Sequence, residues 1–399
     1  MSSFPAPTST AGAATTPGTL NFGIVGFGWM GQVHAKAITR VLQHYPGLEL
    51  RPRLMGVADT ATDGRLDYAA DVLGVPYTTT DWRELVTRDD IDVVCVAGPN
   101  FTHREVAVTA AEAGKHLWLE KPAGRNARET EAIAAAVEKA GVATAVGFNY
   151  RNAPAVEVAR DLVASSRIGE VRHVRVYVMG DYCAHPDGAL TWRFVRDLAG
   201  SGVMGDLGSH GLDLAQHVVG PITDVLVETA TFIRDRPQAV GAASHFSRGG
   251  EGPRLPVENE DYVMGLLRFG NGARGVLEAS RASVGEQNAY GFEVHGSTGA
   301  LAWDFRRMGE LQECLDQDYQ AASWTTRRIG PTDGEAGAFQ PDTAIPLSFD
   351  DLKVIEVKRL LSFIATGKPD GATITDMVQA ARLVEAALRS DTEQRWVSL

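Results

Sequence analysis

The stretch that decides the fold is "FGIVGFGWMGQVHAKAI", residues 22–38. Gly26, Gly28 and Gly31 stand at G-x-G-x-x-G spacing, after an apolar run and before a helical pattern. In a dinucleotide site the first glycine permits a tight turn, and the second lets a pyrophosphate approach the backbone. The third allows close packing of helix on strand. The phosphates then face a helix N-terminus, where free N–H groups and the dipole favour negative charge. The motif alone is equally compatible with a plain glycine turn, so its context has to decide.

The context is alternating. Residues 22–26 form a strand and 33–42 a helix. Strands follow at 54–59, 91–97, 116–120 and 142–148. Helices fall at 65–73, 105–113 and 127–139, and another starts at 81–86, where Asp81 and Glu84 have capping-box spacing. Alternation of this kind predicts a parallel sheet wrapped on both faces, an α/β domain over residues 21–148. Asp59 closes the second strand, where an acid can accept hydrogen bonds from both ribose hydroxyls of NAD and repel the extra phosphate of NADP. It lies further along than the usual ~20 residues, and "LQHYPGLELRPR" supplies the longer connection. The alternative is a solvated acid opening a turn, and Arg65 nearby leaves NADP open.

From residue 149 the texture changes. The segments "VRHVRVYVM", "DVLVETATFI", "YVMGLLRF", "ARGVLEAS", "GFEVHG" and "ALAWDF" read as longer strands separated by turns, with Asn271-Gly272 a hairpin signal. This predicts a second domain, 149–399, with a large, mostly antiparallel open sheet and terminal helices at 353–365 and 376–389. Residues 241–259 and 330–346 read as loops.

Two domains also suit the length, 399 residues being too many for one ordinary core. The net charge of -12, with no basic block, argues against a nucleic-acid partner. Three scattered cysteines, Cys95, Cys183 and Cys314, fit a reducing compartment, the cytoplasm. Residues 1–20 are rich in Ser, Thr, Ala, Pro and Gly and read as a disordered arm. No run approaches the ~18 apolar residues a membrane span needs.

Three constellations carry chemistry. Glu120-Lys121-Pro122 ends a strand, the side of a parallel sheet where ligands bind. The Lys121 ammonium can hydrogen-bond a substrate hydroxyl and favour the alkoxide; the plain alternative is a surface lysine. The proline is a candidate for the cis form. In "GSGVMGDLGSHGLDLAQHVVG", Asp206 and His210 are four apart and share one helix face. Histidine can take a hydroxyl proton, and a carboxylate can orient it or hold the substrate; Asp206 as a helix cap, or the pair as metal ligands, are the alternatives. No zinc-protease or Cys/His signature supports a metal. In "LTWRF", Trp192 offers a flat face for a sugar ring and Arg193 several donors, against the alternative that Trp192 is core.

Together and in this order, "GFGWMG", "AGPNFTH", "EKP", "GFNYR" and "GDLGSHGLD" resemble the Gfo/Idh/MocA family of oxidoreductases, from about residue 21 to the end. "LTWRF", "SRGGEGP" and "FEVHGSTGAL" look most like its levoglucosan-oxidising branch. The resemblance implies an N-terminal Rossmann domain, a C-terminal α/β domain with an open sheet, and dimers or tetramers built through that sheet. It implies Lys121, Asp206 and His210 as catalytic residues, with His210 as base. It places Trp29, Met30, Pro99, Asn100, His103, Glu120 and Lys121 with Gly26, Gly28, Gly31 and Asp59 around NAD. It also places Tyr150 and Arg151 with Trp192, Arg193, Lys121, Asp206 and His210 around the substrate. In "AGPN", Gly98 stands where many relatives carry a hydroxyl, which removes a small cofactor contact. The expected activity is hydride transfer from a secondary hydroxyl, at C3, of a pyranose, an anhydrosugar such as levoglucosan, a glycoside or a cyclitol. An inositol dehydrogenase, an NAD-dependent glycosidase on the same fold and a non-catalytic sugar sensor are the alternatives.

Overall fold

The computed structural model describes residues 18–239, 246–315 and 318–399. Of the N-terminal arm, residues 1–17 lie outside these. Residues 18–20 are not arm, because β1 runs Gly18–Val25 and pairs from Gly18 onward with β2, Leu50–Ala58. The first sheet adds β3 (Tyr77–Thr79), β4 (Val93–Val96), β5 (His116–Leu119) and β6 (Thr144–Val146). All pair in parallel, in the order β3-β2-β1-β4-β5-β6. This is the Rossmann order, in which the chain reverses direction beside β1 and opens a crevice at the strand ends. The strands read as continuous apolar runs because both faces are covered. Phe22, Ile24, Val93 and Val96 are fully buried, and burial of such side chains contributes about 1.5–3 kcal/mol each.

Asp81 caps the helix Trp82–Val86, accepting from the Arg83 N–H at 2.9 Å. The box does not close, because Glu84 is turned to the hydroxyls of Tyr77 and Thr79. The segment 65–73 is a short helix, Arg65–Asp67, running into a π-helical turn, Tyr68–Val72.

The second sheet has nine strands. β7 (Val171–Met179), β8 (Ile222–Ala230), β11 (Tyr262–Phe269), β12 (Arg274–Ser280), β13 (Ala289–Gly296) and β14 (Ala300–Asp304) were all legible as strands. β15 (Glu310–Cys314), β16 (Thr325–Arg328) and β17 (Val397–Ser398) extend the edges. The order is β16-β15-β14-β13-β7-β12-β11-β8-β17, antiparallel except for the pair β7–β12. A separate ribbon joins β9 (Asp235–Pro237) to β10 (Arg254–Pro256), so the stretch expected as loop at 241–259 contains a strand. Its residues 241–245 lie outside the described residues.

Side chains of the second sheet alternate. Val174, Val176, Val178, Leu267 and Leu277 are buried in the second core with the helices Pro154–Ala164, Ser209–Val219 and Ile374–Glu393. Met264, Leu266 and Val276 on the opposite face are exposed. The helix Phe349–Thr366, which follows β16 in sequence, packs instead on the helix Trp29–His44 of the nucleotide half. Its start is fixed by a capping box, with Asp351 accepting from the Ser348 N–H at 2.8 Å. No helix among the described residues is long and apolar enough to cross a membrane.

Candidate active site

The glycine turn has the geometry a dinucleotide needs. Gly26 holds φ +90°, and a Cβ there would fall 2.4 Å from the Gly98 nitrogen. A Cβ on Gly31 would fall 2.1 Å from the Gly26 oxygen, so only glycine lets helix and turn meet. Gly28 stands at the N-cap without a side-chain cap, leaving first-turn N–H groups for an anion. Asp59 supports this turn from the tip of β2, accepting from the Phe27 N–H at 2.5 Å and from Arg65 Nη1 at 3.1 Å. Arg65 is also held by Asp63, its Nε donating at 2.8 Å. One guanidinium is thus shared between two carboxylates.

A cavity of about 640 Å³ opens beside Trp29 and Met30 and runs between the two sheets. Glu120 and Lys121 reach it from the loop after β5, where the Lys121–Pro122 peptide is cis. Lys121 Nζ donates to the Asp206 carboxylate at 2.8 Å and to its backbone carbonyl at 2.9 Å. The other Asp206 oxygen accepts from the Tyr182 hydroxyl at 2.5 Å. Burial opposes ionisation of Asp206, but Lys121 and Arg193, with the two hydrogen bonds, outweigh it and hold the carboxyl well below its usual range.

Asp206 sits in a π-helical turn, Met204–Gly208, that leads directly into the helix Ser209–Val219. Its N–H bonds the Gly202 carbonyl, so it lies inside the helical run and is not a cap. The π-turn brings Asp206 and His210 to the same cavity. His210 is 6% exposed, and among the described residues its ring has no hydrogen-bond partner. Tyr150 meets the ring edge-on, with centroids 4.8 Å apart. Burial, reinforced by the Lys121 charge, pushes the His210 pKa well below its ordinary value. The imidazole is therefore neutral at pH 7 and able to accept a proton. Trp192 lines the cavity with the Arg193 guanidinium 4.3 Å above its ring.

Two family models match this chain. Residues 20–148 match the oxidoreductase family with an NAD-binding Rossmann fold, and residues 156–302 match the GFO/IDH/MocA C-terminal domain. The levoglucosan dehydrogenase of Pseudarthrobacter phenanthrenivorans is 34% identical over 95% of this chain and 98% of its own. The chain belongs to the Gfo/Idh/MocA oxidoreductase family. The inositol 2-dehydrogenase of Rhizobium meliloti is 26% identical over 96% of this chain and 99% of its own. A solved levoglucosan dehydrogenase in complex with NADH and levoglucosan superposes with a TM-score of 0.88 at 32% identity, covering 95% of this chain and 99% of that one.

In this Gfo/Idh/MocA oxidoreductase most of the expected residues converge. Trp29, Met30, Asn100, His103, Glu120, Lys121, Tyr150, Trp192, Arg193, Asp206 and His210 line one cavity. Gly26, Gly28, Gly31 and Asp59 do not line it but form the turn that leads into Trp29 and Met30. Pro99 starts the helix Asn100–Glu112. His103 is a brace, its ring nitrogens 2.8 Å from the carbonyls of Gly98 and Pro122. Asn100 Nδ2 donates to the Ala199 carbonyl at 2.9 Å and ties the two halves together. At Gly98 a Cβ would stand 2.9 Å from the Thr102 hydroxyl.

Two expectations are corrected. Arg151 does not reach the cavity. It is turned away into a buried pair with Asp213, Nε donating at 2.7 Å, and donates to Asp376 at 2.9 Å. Two carboxylates on neighbouring helices outcompete a neutral substrate for its charge. Nor does Asp206 orient His210, since its oxygens are taken by Lys121 and Tyr182.

Tyr182 and Lys353 were missed. Tyr182 follows the carboxyl end of β7, but it lies in an antiparallel-rich half where that rule is not applied. Lys353 hides in "DDLKVIEVKRLL" as one lysine of a helix. Among the described residues the only group with metal-ligand spacing is His34, Glu120 and Glu356. The Lys353 ammonium stands among them, 2.6 Å from Glu120 and 2.8 Å from Glu356, and supplies the positive charge itself.

Proposed function

We propose that this oxidoreductase is an NAD-dependent dehydrogenase that oxidises a secondary hydroxyl, at C3, of a pyranose-type sugar, with an anhydrosugar such as levoglucosan as the first candidate. The observation that carries the reading is the cavity shared by His210, the Lys121–Asp206–Tyr182 chain, and Trp29 and Met30, which directly follow Gly28 of the glycine turn. Residues 18–148, with β1 starting at Gly18, serve as the cofactor domain and 149–399 as the substrate and oligomerisation domain.

The glycine turn, Asp59, Met30 and Glu120 would hold NAD, which when bound supplies the hydride acceptor. The remaining chemistry belongs to the chain. His210 takes the proton of the substrate hydroxyl. Lys121, held by Asp206, donates to the same oxygen and favours the alkoxide. Tyr182 fixes Asp206, and Asp206 in turn fixes Lys121. The Trp192 ring and the Arg193 donors offer a sugar a stacking face and hydrogen bonds. NAD is favoured over NADP because Asp59 and Asp63 together outweigh the Arg65 charge where a 2′-phosphate would lie.

The exposed Met264, Leu266 and Val276 face supports a homodimer or homotetramer built through the second sheet. Three free cysteines suit the cytoplasm. The test is separate titration with NAD and NADP, then a screen of levoglucosan, inositols, glucose, xylose and glucosides for growth of the reduced nicotinamide absorbance. Tight NAD binding with no net reduction by any sugar would sink the dehydrogenase reading.

A further inference from the structure

The charged cluster behind Glu120 has no part in the chemistry above. Lys353 comes from the helix Phe349–Thr366, 233 residues along the chain from Glu120, and is fully buried. Its ammonium donates to Glu120 Oε1 at 2.6 Å and to Glu356 Oε1 at 2.8 Å. His34, also fully buried, lies 2.9 Å from the same Glu120 oxygen through Nε2 and stacks on Trp118. The Trp118 indole donates to Glu356 Oε1 at 2.7 Å. Such a buried ionic group is at best neutral for stability against an apolar core of the same volume. Stability alone therefore does not account for it.

The two Glu120 oxygens are treated differently. Oε1 is held from behind by Lys353 and His34. Oε2 accepts no hydrogen bond among the described residues; both oxygens lie beside Gly147, where a Cβ would stand 2.7 Å from Oε2 and 3.0 Å from Oε1. Glu120 and Gly147 both line the cavity, next to Lys121. We propose that Lys353 is a positioning residue, which clamps one oxygen of Glu120 so that the other is presented as a hydrogen-bond acceptor to the bound nucleotide. The proposal rests on the reading of Glu120 as a cofactor contact. It makes a helix from the C-terminal part of the chain a working part of the nucleotide site. Burial works against ionisation of Glu120, but the Lys353 charge and the His34 contact prevail and hold its carboxyl well below the usual range.

The test is a double-mutant cycle on NADH affinity, read from nicotinamide fluorescence with Glu120→Gln, Lys353→Met and the pair. Each single change is expected to weaken binding about 10-fold, the scale of one charge-assisted hydrogen bond. The pair is expected to be no weaker than the worse single change, because Lys353 acts only through Glu120. Losses that multiply in the pair overturn the proposal and leave Glu120 as a contact. Unchanged affinity in Lys353→Met beside a loss in Glu120→Gln does the same. Unchanged affinity in Glu120→Gln overturns the contact and the proposal together. Should Lys353→Met fail to fold, the cycle is run in a Glu356→Gln background, where one acid leaves with the cation, against the same outcomes.

Discussion

At the scale of single residues, the site is organised around one ammonium. Lys121 has two acceptors on one residue, Asp206, and Tyr182 closes the chain from the far side. Among the described residues His210 has no hydrogen-bond partner, which leaves its ring free to meet a substrate proton. We expect His210→Ala and Lys121→Ala each to lower kcat by about 100-fold or more, the usual worth of a positioned acid–base group. NADH affinity should stay within a few-fold in His210→Ala; normal turnover in either variant would remove that residue from the mechanism. Tyr182→Phe deletes one hydrogen bond to a charged acceptor and should lower kcat by about 10-fold, with sugar KM moving less. A change in KM alone would make Tyr182 a substrate contact and not a support for Asp206.

At the scale of elements, the site is made where helices meet strand ends. The π-turn at Met204–Gly208 brings Asp206 and His210 to one cavity, although a regular helix was the sequence reading. The 3-10 turn Asn149–Asn152 places Tyr150 at the cavity while its neighbour Arg151 anchors the turn to Asp213 and Asp376. Burial pushes the Asp213 carboxyl up to about 6 despite the Arg151 charge. Without Arg151 it can take a proton, which limits the damage. Arg151→Ala is therefore expected to cost about 3 kcal/mol, at the low end for breaking a buried pair, measured as a lower urea midpoint. Asp213→Asn added to it should recover part of the loss, and a fully additive loss would show that the two do not act as a pair.

At the scale of the whole molecule, buried histidines and the open sheet face set the behaviour. Burial pushes His34 down to about 4 and His217 to about 3, and lowers His103 and His210 as well. Each of these rings takes up its proton at a lower pH when folded than when unfolded, where the ordinary value is about 6.5. Stability is therefore present above pH 6.5 and lost as pH falls toward 4, about 3 kcal/mol for His34 alone. Asp213 and Glu356, pushed up to about 6 and about 7 by burial, and Glu260, also raised by burial, act in the opposite sense but are fewer than the lowered histidines. Urea midpoints at pH 7.5, 5.5 and 4.5 should fall in that order; a midpoint that rises on acidification would show that the carboxyls dominate. The proposed dimer or tetramer through the open sheet face predicts that Leu266→Glu yields a monomer in light scattering with the fold intact, where the unmodified chain gives a larger mass; equal masses for the two would overturn that interface.

The sequence by itself determined what depends on local spacing. The glycine turn, the alternating elements, the change of texture at residue 149, and the placing of Asp206 with His210 follow from short-range pattern, whereas the grouping of Lys121 with them was implied only by the family resemblance. A turn, a strand and a helix face are each specified within a few residues. Only the tertiary structure decided which charge meets which. Arg151 turned from the cavity because Asp213 and Asp376, 62 and 225 residues away, draw it into a buried pair. Tyr182 found Asp206, and Lys353 crossed from a late helix to Glu120. A buried charge takes the partner that three-dimensional packing brings within hydrogen-bond reach, and sequence separation does not record that distance.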